Sequence, residues 1–347
     1  MDDLQLLQRT GNPGGTPTPA ALARGRQQLF AQIAAEERTT TTAPGTILRL
    51  KRRPHRILLA SAAAVVIAAG GVVVDVAGSD SSGATAEAAT VLRDAASLSL
   101  TATDPMLVDG QYLRIDMDVA YTSSFTTAAG EQAMWLTSQD GQLYVPADTS
   151  GEWVWVREDR VPERFFNDAD RGVANQVLQD GIETPGETLT ADGGAFYGTD
   201  QLFLGMPLEE AISTVPRDSQ DLLNLIKERN PSGEASQDAK AFSSIANFLR
   251  TGAVPGELRA TLYEAMILID GVEVTEQQAT LDGRIGTAIG LESPDTASRQ
   301  DIIVDTTTGL LIGERTTALS GFNDIPAGTV TSWTAITTEI VDALPAT

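Results

Sequence analysis

The sequence contains no cysteine, and its only histidine is His55. Without cysteine there is no disulfide bond, no thiolate nucleophile and no cysteine-ligated zinc, so the fold depends on its own core. The chain after His55 has no imidazole for general acid–base catalysis. No P-loop is present, and no Gly-x-Gly-x-x-Gly pattern follows a predicted strand. We therefore predict a protein that is not an enzyme and that holds no metal and no cofactor.

Basic residues are scarce, with 24 Lys and Arg against 47 Asp and Glu, and they are unevenly distributed. Residues 1–56 carry nine basic and four acidic side chains, a net charge of +5. The rest of the chain carries 15 basic and 43 acidic side chains, a net charge of −28. Such asymmetry indicates that the two parts face different compartments. The acidic part is expected to repel nucleic acid, and a surface that keeps an exported domain soluble is favoured over an acidic binding face.

An uncharged apolar run, ILLASAAAVVIAAGGVVV, covers residues 57–74. A helix needs about 20 mostly apolar residues to cross a hydrocarbon core of roughly 30 Å. We predict one transmembrane helix at residues 57–77, followed by a short linker at residues 78–83. A cleaved signal peptide is the main alternative, but its charged region would be as long as residues 1–56, which is unusual. A buried helix of a soluble protein is the third interpretation.

The charges that flank this run differ sharply on its two sides. Asp75 and Asp80 follow it, and no basic residue comes before Arg93. Excess Lys and Arg mark the cytoplasmic side of a membrane helix. We therefore predict a single-pass protein of the cell membrane with a cytoplasmic N-terminus and an extracellular C-terminal domain. The topology signal consists of Lys51, Arg52, Arg53 and Arg56.

The cytoplasmic segment, residues 1–56, is predicted to contain short amphipathic helices. Thr18-Pro19 is a typical helix start, with Thr as N-cap and Pro at the first position. Isolated helices this short are marginal in water. The segment therefore docks on a protein partner, lies on the inner leaflet or stays partly disordered; docking in a groove is an established use of such a face. The apolar face for a cytoplasmic partner consists of Leu22, Leu29, Phe30 and Ile33.

The outer domain, residues 84–345, is predicted to be α+β. A helix at residues 84–97 precedes a strand at residues 111–122, in which apolar and charged residues alternate as in an antiparallel strand with one wet face. Asp140-Gly141 is predicted to be a hairpin turn between MWLTS and QLYV. Residues 152–157, EWVWVR, form the next predicted strand.

Residues 205–270 change to a helical pattern and are predicted to form a helical block. Asp218, Ser236 and Pro255 mark helix starts, and Gly252 marks a helix end. An insertion packed on the sheet is favoured over a mobile lid. Strands return after residue 270, with a second Asp-Gly turn at Asp282-Gly283. The fold class is therefore α+β with a curved antiparallel sheet and a helical insertion, and a half-open barrel is its finer form.

Two weaker patterns in the outer domain have structural explanations that we prefer. Asp168-Ala169-Asp170-Arg171-Gly172 resembles the start of a calcium loop, but the fifth ligand is missing and the twelfth position is Gln179. An acidic turn accounts for it better. Trp135, Trp153 and Trp155 are candidates to line an apolar pocket, although packing in the core is favoured.

Several stretches resemble an uncharacterised actinobacterial family of membrane-anchored proteins that are often encoded beside extracytoplasmic-function sigma factors. The resemblance covers nearly the whole chain, and it implies a membrane location and a regulatory role without supplying functional residues. The stretches that carry it are MDDLQLLQ, PAALARGRQQL, KRRPHRILLA, GEWVWVRE, SIANFLRTGAVPGELRATLYEAM, DIIVDTTTGLLIGERTT and GTVTSWTAI.

The segment VDTTTGLLIGER is also similar to a strand–turn–strand unit of the lipoprotein-carrier and sigma-regulator fold, a half-open antiparallel barrel closed by helices. This likeness implies an apolar face that holds a lipid or an acyl chain. Two functions follow as hypotheses. The first is an extracytoplasmic sensor that acts on a cytoplasmic regulator such as a sigma factor, in response to an apolar ligand or an envelope protein. The second is a membrane-tethered binding or carrier module for a lipid or lipoprotein.

Overall fold

A computed structural model describes residues 83–101, 104, 106–182, 185–196, 203–230 and 236–345. The predicted cytoplasmic helices and the predicted membrane helix at residues 57–77 lie outside the described residues. Within the described ranges, no helix is both long enough and apolar enough to cross a membrane. The domain formed by the described residues is α+β, as the sequence predicts.

The domain begins with one helix and a long strand. In chain order, the first half consists of α1 (Ala86–Thr101), β1 (Tyr112–Thr126), β2 (Gln132–Ser138), β3 (Gly141–Pro146), β4 (Glu152–Arg157), β5 (Val161–Phe165), α2 (Asp168–Gln179) and β6 (Glu187–Asp192). The second half consists of α3 (Leu208–Thr214), α4 (Ser219–Arg229), α5 (Gln237–Arg250), α6 (Gly256–Ile267), β7 (Glu273–Leu281), β8 (Arg284–Ser293), a 3₁₀ helix (Pro294–Thr296), β9 (Ser298–Val304), β10 (Leu311–Ala318) and β11 (Val330–Val341).

The described strands form one curved, open antiparallel sheet. Its main order is β6-β4-β3-β1-β11-β10-β9-β8-β7, and β2 and β5 extend it beside the second half of β1. β1 is the central strand because it pairs with β11 on one side and with both β3 and β2 on the other. The two meanders predicted from the sequence therefore join through the β1–β11 pair.

The predicted hairpin at Asp140-Gly141 is wrong. β2 and β3 do not pair with each other; both pair with β1, one after the other. Met117 faces Gly141 and Ala120 faces Ser138, so the register is the same on both sides of the break. Residues 132–146 thus run as one interrupted strand. A two-residue hairpin of the favoured type needs positive φ at both positions, and neither Asp140 nor Gly141 has it.

The second Asp-Gly turn is confirmed. Asp282 and Gly283 have φ of 46° and 72°, and Leu281 faces Arg284 across the turn. These values are those of a tight turn with two left-handed residues, which suits the right-handed twist of the flanking strands.

The helices pack on one face of the sheet and form the main core. α1 packs against α6, and α5 lies across β8 and β10. Leu113 and Ile115 of β1 are buried in this core, whereas Arg114 and Asp116 point to the opposite face, where they form an ion pair. The period-2 pattern of β1 is therefore confirmed, and the helical block is an insertion packed on the sheet.

Helix boundaries follow the capping residues that the sequence suggested. The Asp218 carboxylate accepts hydrogen bonds from the N–H groups of Gln220 and Asp221 at the start of α4. The Ser236 hydroxyl accepts one from the Ala239 N–H at the start of α5. Such bonds satisfy amide groups that have no partner within the helix.

The acidic segment at Asp168 is neither a calcium loop nor a turn. It is the first turn of α2, and the Asn167 side chain caps the helix by accepting a hydrogen bond from the Asp170 N–H. Acidic residues in a first turn are favoured by the helix dipole. The Asp residues therefore stabilise a helix start.

The opposite face of the sheet holds a smaller apolar cluster and a buried ion network. Ala279, Leu281 and Ile303 belong to the cluster, which also includes residues of β10 and β11. Asp301 is fully buried, and its carboxylate is bound by Arg299 at 2.8 Å and Arg315 at 2.9 Å. Buried charges require such partners because an unpaired charge in the interior is costly.

Candidate functional site

An open cleft of about 330 Å³ lies where the C-terminal end of α5 meets strands β1, β3 and β4. Its volume is within the range of small-molecule sites, which are mostly apolar with a few polar groups. We call it the aromatic cleft. Its apolar lining consists of Met117, Val119, Tyr121, Leu143, Trp153, Trp155 and Phe196.

The cleft exists because β1 continues beyond the helices that cover it. Leu113 and Ile115 are buried beneath the helical block, and Ile115 lies close to Gly252, just after α5. Met117, Val119 and Tyr121 continue the same face of the strand but are only half-buried. An apolar stripe that is core at one end of the strand thus becomes the floor of a cleft at the other.

Trp155 and Phe196 form an aromatic wall of the cleft. Their rings meet edge to face, with centroids 5.4 Å apart and an interplanar angle of 60°. The Arg157 guanidinium lies 4.8 Å from the centroid of the Trp155 ring, within the range of a cation–π contact. The wall therefore combines apolar surface with positive charge.

Arg157 and Arg160 converge on one neutral side chain, Gln139. The Gln139 Oε1 atom accepts a hydrogen bond from Arg157 Nη2 at 2.8 Å and from Arg160 Nε at 3.3 Å. Gln139 is 7% exposed, and its amide nitrogen donates to the Glu158 carbonyl. We call Arg157 and Arg160 the arginine pair.

An extra residue in the sheet places both arginines on one side. Arg157 faces Gly141 and Val161 faces Ser138, so three residues of one strand lie opposite two of its neighbour. In a regular strand, residues 157 and 160 would point to opposite faces. A bulge re-aims side chains in this way and is common beside functional sites.

The opposite side of the cleft carries a third arginine. Arg250, the last residue of α5, forms an ion pair with Glu314 at 3.2 Å and a long hydrogen bond to the Thr334 hydroxyl. Asn247 lies one helical turn earlier and also lines the cleft. The polar groups of the cleft are thus held in place by the helix end and by β10 and β11.

Three aspartates meet beside the cleft at the break between β2 and β3. The Asp140 carboxylate accepts a hydrogen bond from the Val119 N–H at 3.3 Å. Burial, followed by the charges of Asp140 and Asp282, raises the pKa of Asp118 to about 7. Burial also raises the pKa of Asp140, against the lowering effect of its bond to Val119. Within the described ranges, no group of three His, Cys, Asp or Glu residues is placed to hold a metal ion.

A second, larger cleft of about 600 Å³ lies between α5 and strands β8, β9 and β10. Its lining is mostly hydroxyl and amide groups, with Arg229 and Lys240 at the helical side. The Ser293 hydroxyl is buried there without a hydrogen-bond partner. This polar cleft has little apolar surface for a ligand, so the aromatic cleft is the better candidate site.

The residues singled out by the sequence have different outcomes. Trp155 lines the aromatic cleft, Trp153 is buried beneath it, and Trp135 is buried in a separate cluster against α2. The arginine pair and Gln139 were missed. The segment WVWVREDR held a signal for them, namely two arginines directly after an aromatic strand. The topology signal and the cytoplasmic partner face lie outside the described residues: Lys51, Arg52, Arg53, Arg56, Leu22, Leu29, Phe30 and Ile33.

No protein-family model and no curated protein match the chain. Among solved structures, a DUF1329 family protein from Desulfovibrio piger is similar over 73% of this chain and 92% of that protein's chain, at 12% sequence identity and a TM-score of 0.19. A similarity at this level carries no argument about fold or function. The case for a function therefore rests on the residues of this chain.

Proposed function

We propose that the protein is a single-pass membrane-anchored sensor. Its extracytoplasmic domain binds an apolar ligand in the aromatic cleft, and its N-terminal segment acts on a cytoplasmic regulator. The observation that carries the proposal is the half-buried apolar floor formed by Met117, Val119 and Tyr121 beside Trp155. Contiguous apolar surface of this kind marks a binding site, because leaving it in water is unfavourable.

The membrane anchor in this proposal is residues 57–77, and the lipid bilayer is its partner. Support comes from the uncharged run and from the basic cluster that begins at Lys51. The net charge of −28 after residue 56 suits a domain exposed outside the cell rather than one that binds nucleic acid.

The inner part of the proposal is a contact between the N-terminal segment and a regulator such as a sigma factor. The resemblance to a family encoded beside extracytoplasmic-function sigma factors supports this choice. The apolar face needs a surface to cover it, and a groove on a partner provides one. The proposed contact face is Leu22, Leu29, Phe30 and Ile33.

The finer form of the fold, a half-open barrel, belongs to the same proposal. It is supported by the curvature of the open sheet and by the contact of the β7–β8 turn with the far side of the sheet. The turn residue Asp282 lies close enough to Asp118 of β1 to affect its ionisation, although β9, β10 and β11 lie between these strands. Packing of α1, α5 and α6 on one face also suits that form.

A membrane-tethered carrier for a lipid or lipoprotein is the alternative, and the same cleft favours it. In a carrier, the inner segment serves only as an anchor. Neither function uses catalysis, and we propose that the protein is not an enzyme. The two functions differ in whether changes to the inner face have consequences.

Binding of an apolar compound tests the outer half of the proposal. The full chain in nanodiscs is titrated with octan-1-ol by calorimetry, with empty nanodiscs as the baseline. Met117→Gln keeps the side-chain length but places an unpaired amide in the cleft, so affinity is expected to fall about tenfold. The matched control is Ile285→Gln, because Ile285 is 66% exposed and lies outside the cleft. Absence of binding to the unaltered chain contradicts the proposal.

Capture of a cytoplasmic protein tests the inner half. The full chain is expected to co-purify with a regulator from membranes, and Leu29→Asp with Phe30→Asp is expected to abolish this because charge on the apolar face opposes docking. Gln27→Asp with Gln28→Asp adds the same charge largely outside that face and serves as the control. Unchanged capture by the Leu29 and Phe30 variant would favour the carrier.

A further inference from the structure

The arginine pair is an unusual arrangement for this domain. Because both guanidinium groups donate to the Gln139 Oε1 atom, the two donor nitrogens are no more than about 6 Å apart. Like charges at such a distance repel each other. The domain has 43 acidic side chains for its 15 basic ones, yet the group that holds the pair together is a neutral amide.

Carboxylates near the pair leave it with an excess of positive charge. Arg157 pairs with Glu187 at 3.1 Å, whereas Arg160 makes no ion pair with any of the residues that the structure describes. Asp140 also lines the cleft, but its carboxylate accepts the Val119 N–H. Arg250 across the cleft is paired with Glu314. The positive charge of Arg160 is therefore free for a ligand that enters the cleft.

Guanidinium groups bind carboxylates and phosphates through two parallel hydrogen bonds, which makes arginine the preferred residue for such anions. The aromatic floor and the arginine pair line the same cleft. A wholly apolar ligand would leave the arginine pair unused, and a small inorganic anion would leave the apolar floor uncovered. A ligand that uses both has an apolar body and an anionic head.

We propose that the aromatic cleft binds an amphipathic anion. Its apolar chain lies against Met117, Val119 and Trp155, and its carboxylate or phosphate head is bound by Arg157 and Arg160. The inference rests on the proposed function, because it names the ligand class of the same cleft. The bulge between β4 and β5 is the structural device that adds recognition of the head group.

Calorimetry on the full chain in nanodiscs of zwitterionic lipid tests the inference with three probes of equal chain length. These probes are octan-1-ol, octanoate and octyl phosphate, and empty nanodiscs supply the baseline. The two anions are expected to bind at least about tenfold more tightly than octan-1-ol, as charge-assisted bonds to arginine imply. The tighter anion identifies the head group as a fatty-acid type carboxylate or a phospholipid type phosphate.

Arg160→Gln is expected to weaken binding of both anions about tenfold while the affinity for octan-1-ol changes less than about twofold. Arg164→Gln makes the same charge change on an exposed residue outside the cleft and should leave all three affinities unchanged. Arg160→Lys keeps the charge but not the fork, so it serves as a second variant and is expected to bind the anions with intermediate affinity.

Equal affinity of the unaltered chain for all three probes overturns the inference but leaves the proposed function standing. Equal losses in Arg160→Gln and Arg164→Gln also overturn it, because the effect would then come from the overall field. If none of the three probes binds, both proposals fail.

Discussion

Asp118 is half-buried on β1, close to Asp140 and Asp282. Its raised pKa means that the folded protein holds a proton there over a range in which the unfolded chain, with an ordinary aspartate pKa near 4, has released it. A folded-state pKa of about 7 therefore gives stability that is present in acid and is lost as the pH rises through 7. The loss comes from burial and from repulsion by the neighbouring carboxylates.

We predict that Asp118→Asn raises the melting temperature at about pH 8 and leaves it nearly unchanged at about pH 5. The amide cannot ionise, so the variant avoids the charge that destabilises the unaltered protein. Thermal unfolding followed by circular dichroism at both pH values measures the difference. Asp295→Asn, at an exposed residue of the 3₁₀ helix, removes the same charge elsewhere. Equal gains for both variants at pH 8 would show that net charge alone is responsible.

The arginine pair shows at the same scale what the sequence does not reveal. The residues Arg157 and Arg160 are visible in the segment WVWVREDR, but their spacing in a regular strand puts them on opposite faces. Only the extra residue opposite Gln139 and Asp140 brings them together. Gln139 carries no sequence signal because its role depends on a contact with another strand.

Two identical dipeptides have different conformations at the scale of the strand. Asp282-Gly283 is a turn, whereas Asp140-Gly141 is part of an extended segment. Gly141 serves a different need, since a Cβ atom there would lie 2.8 Å from the Val156 carbonyl oxygen of the neighbouring strand. Gly283 has open space around it but needs a left-handed φ.

The order of tolerated substitutions is therefore expected to reverse between the two glycines. At position 283, Asn should cost less than Ala, because Asn adopts the left-handed region more readily. At position 141, Ala should already cost about 1–3 kcal/mol through overpacking, and Asn should cost more because it is larger. Chemical denaturation of the four variants gives the free energies of unfolding. The same order at both positions would contradict the strand assignment of Gly141.

Elements with a local signal were predictable, and those that depend on distant partners were not. The alternation in β1 and the capping residues Asp218 and Ser236 act within a few positions, so the sequence alone indicates them. β2 and β3 carry a hairpin signal that is overridden because β1 is long enough to pair with both. The helix α2 was missed because its acidic first turn resembled a loop.

At the scale of the whole molecule, the charge step at residues 51–56 is expected to set the orientation in the membrane. The absence of cysteine makes this testable by labelling, because any introduced thiol is the only one in the chain. Asp295→Cys should react with an impermeant maleimide on intact cells. Gln8→Cys should react only after the cells are permeabilised.

Replacing Lys51, Arg52, Arg53 and Arg56 by Gln is expected to give a mixed orientation, so that labelling at position 295 on intact cells falls. Arg24→Gln with Arg26→Gln removes charges more than about 20 residues from the span, where they have little influence, and should leave the labelling unchanged. Equal labelling of positions 8 and 295 on intact cells of the unaltered protein would contradict a single membrane span.

The sequence by itself determined the features that depend on composition and on short spacing: the uncharged run at residues 57–74, the charge asymmetry, the α+β class and the lack of residues for common catalysis. Each follows from the chemistry of neighbouring residues. The tertiary structure alone decided the continuous β2–β3 strand, the half-covered floor of the aromatic cleft, the convergence of Arg157 and Arg160 on Gln139, and the raised pKa of Asp118. These features depend on strand register and on the point where α5 ends, and both are set by packing between residues far apart in the chain.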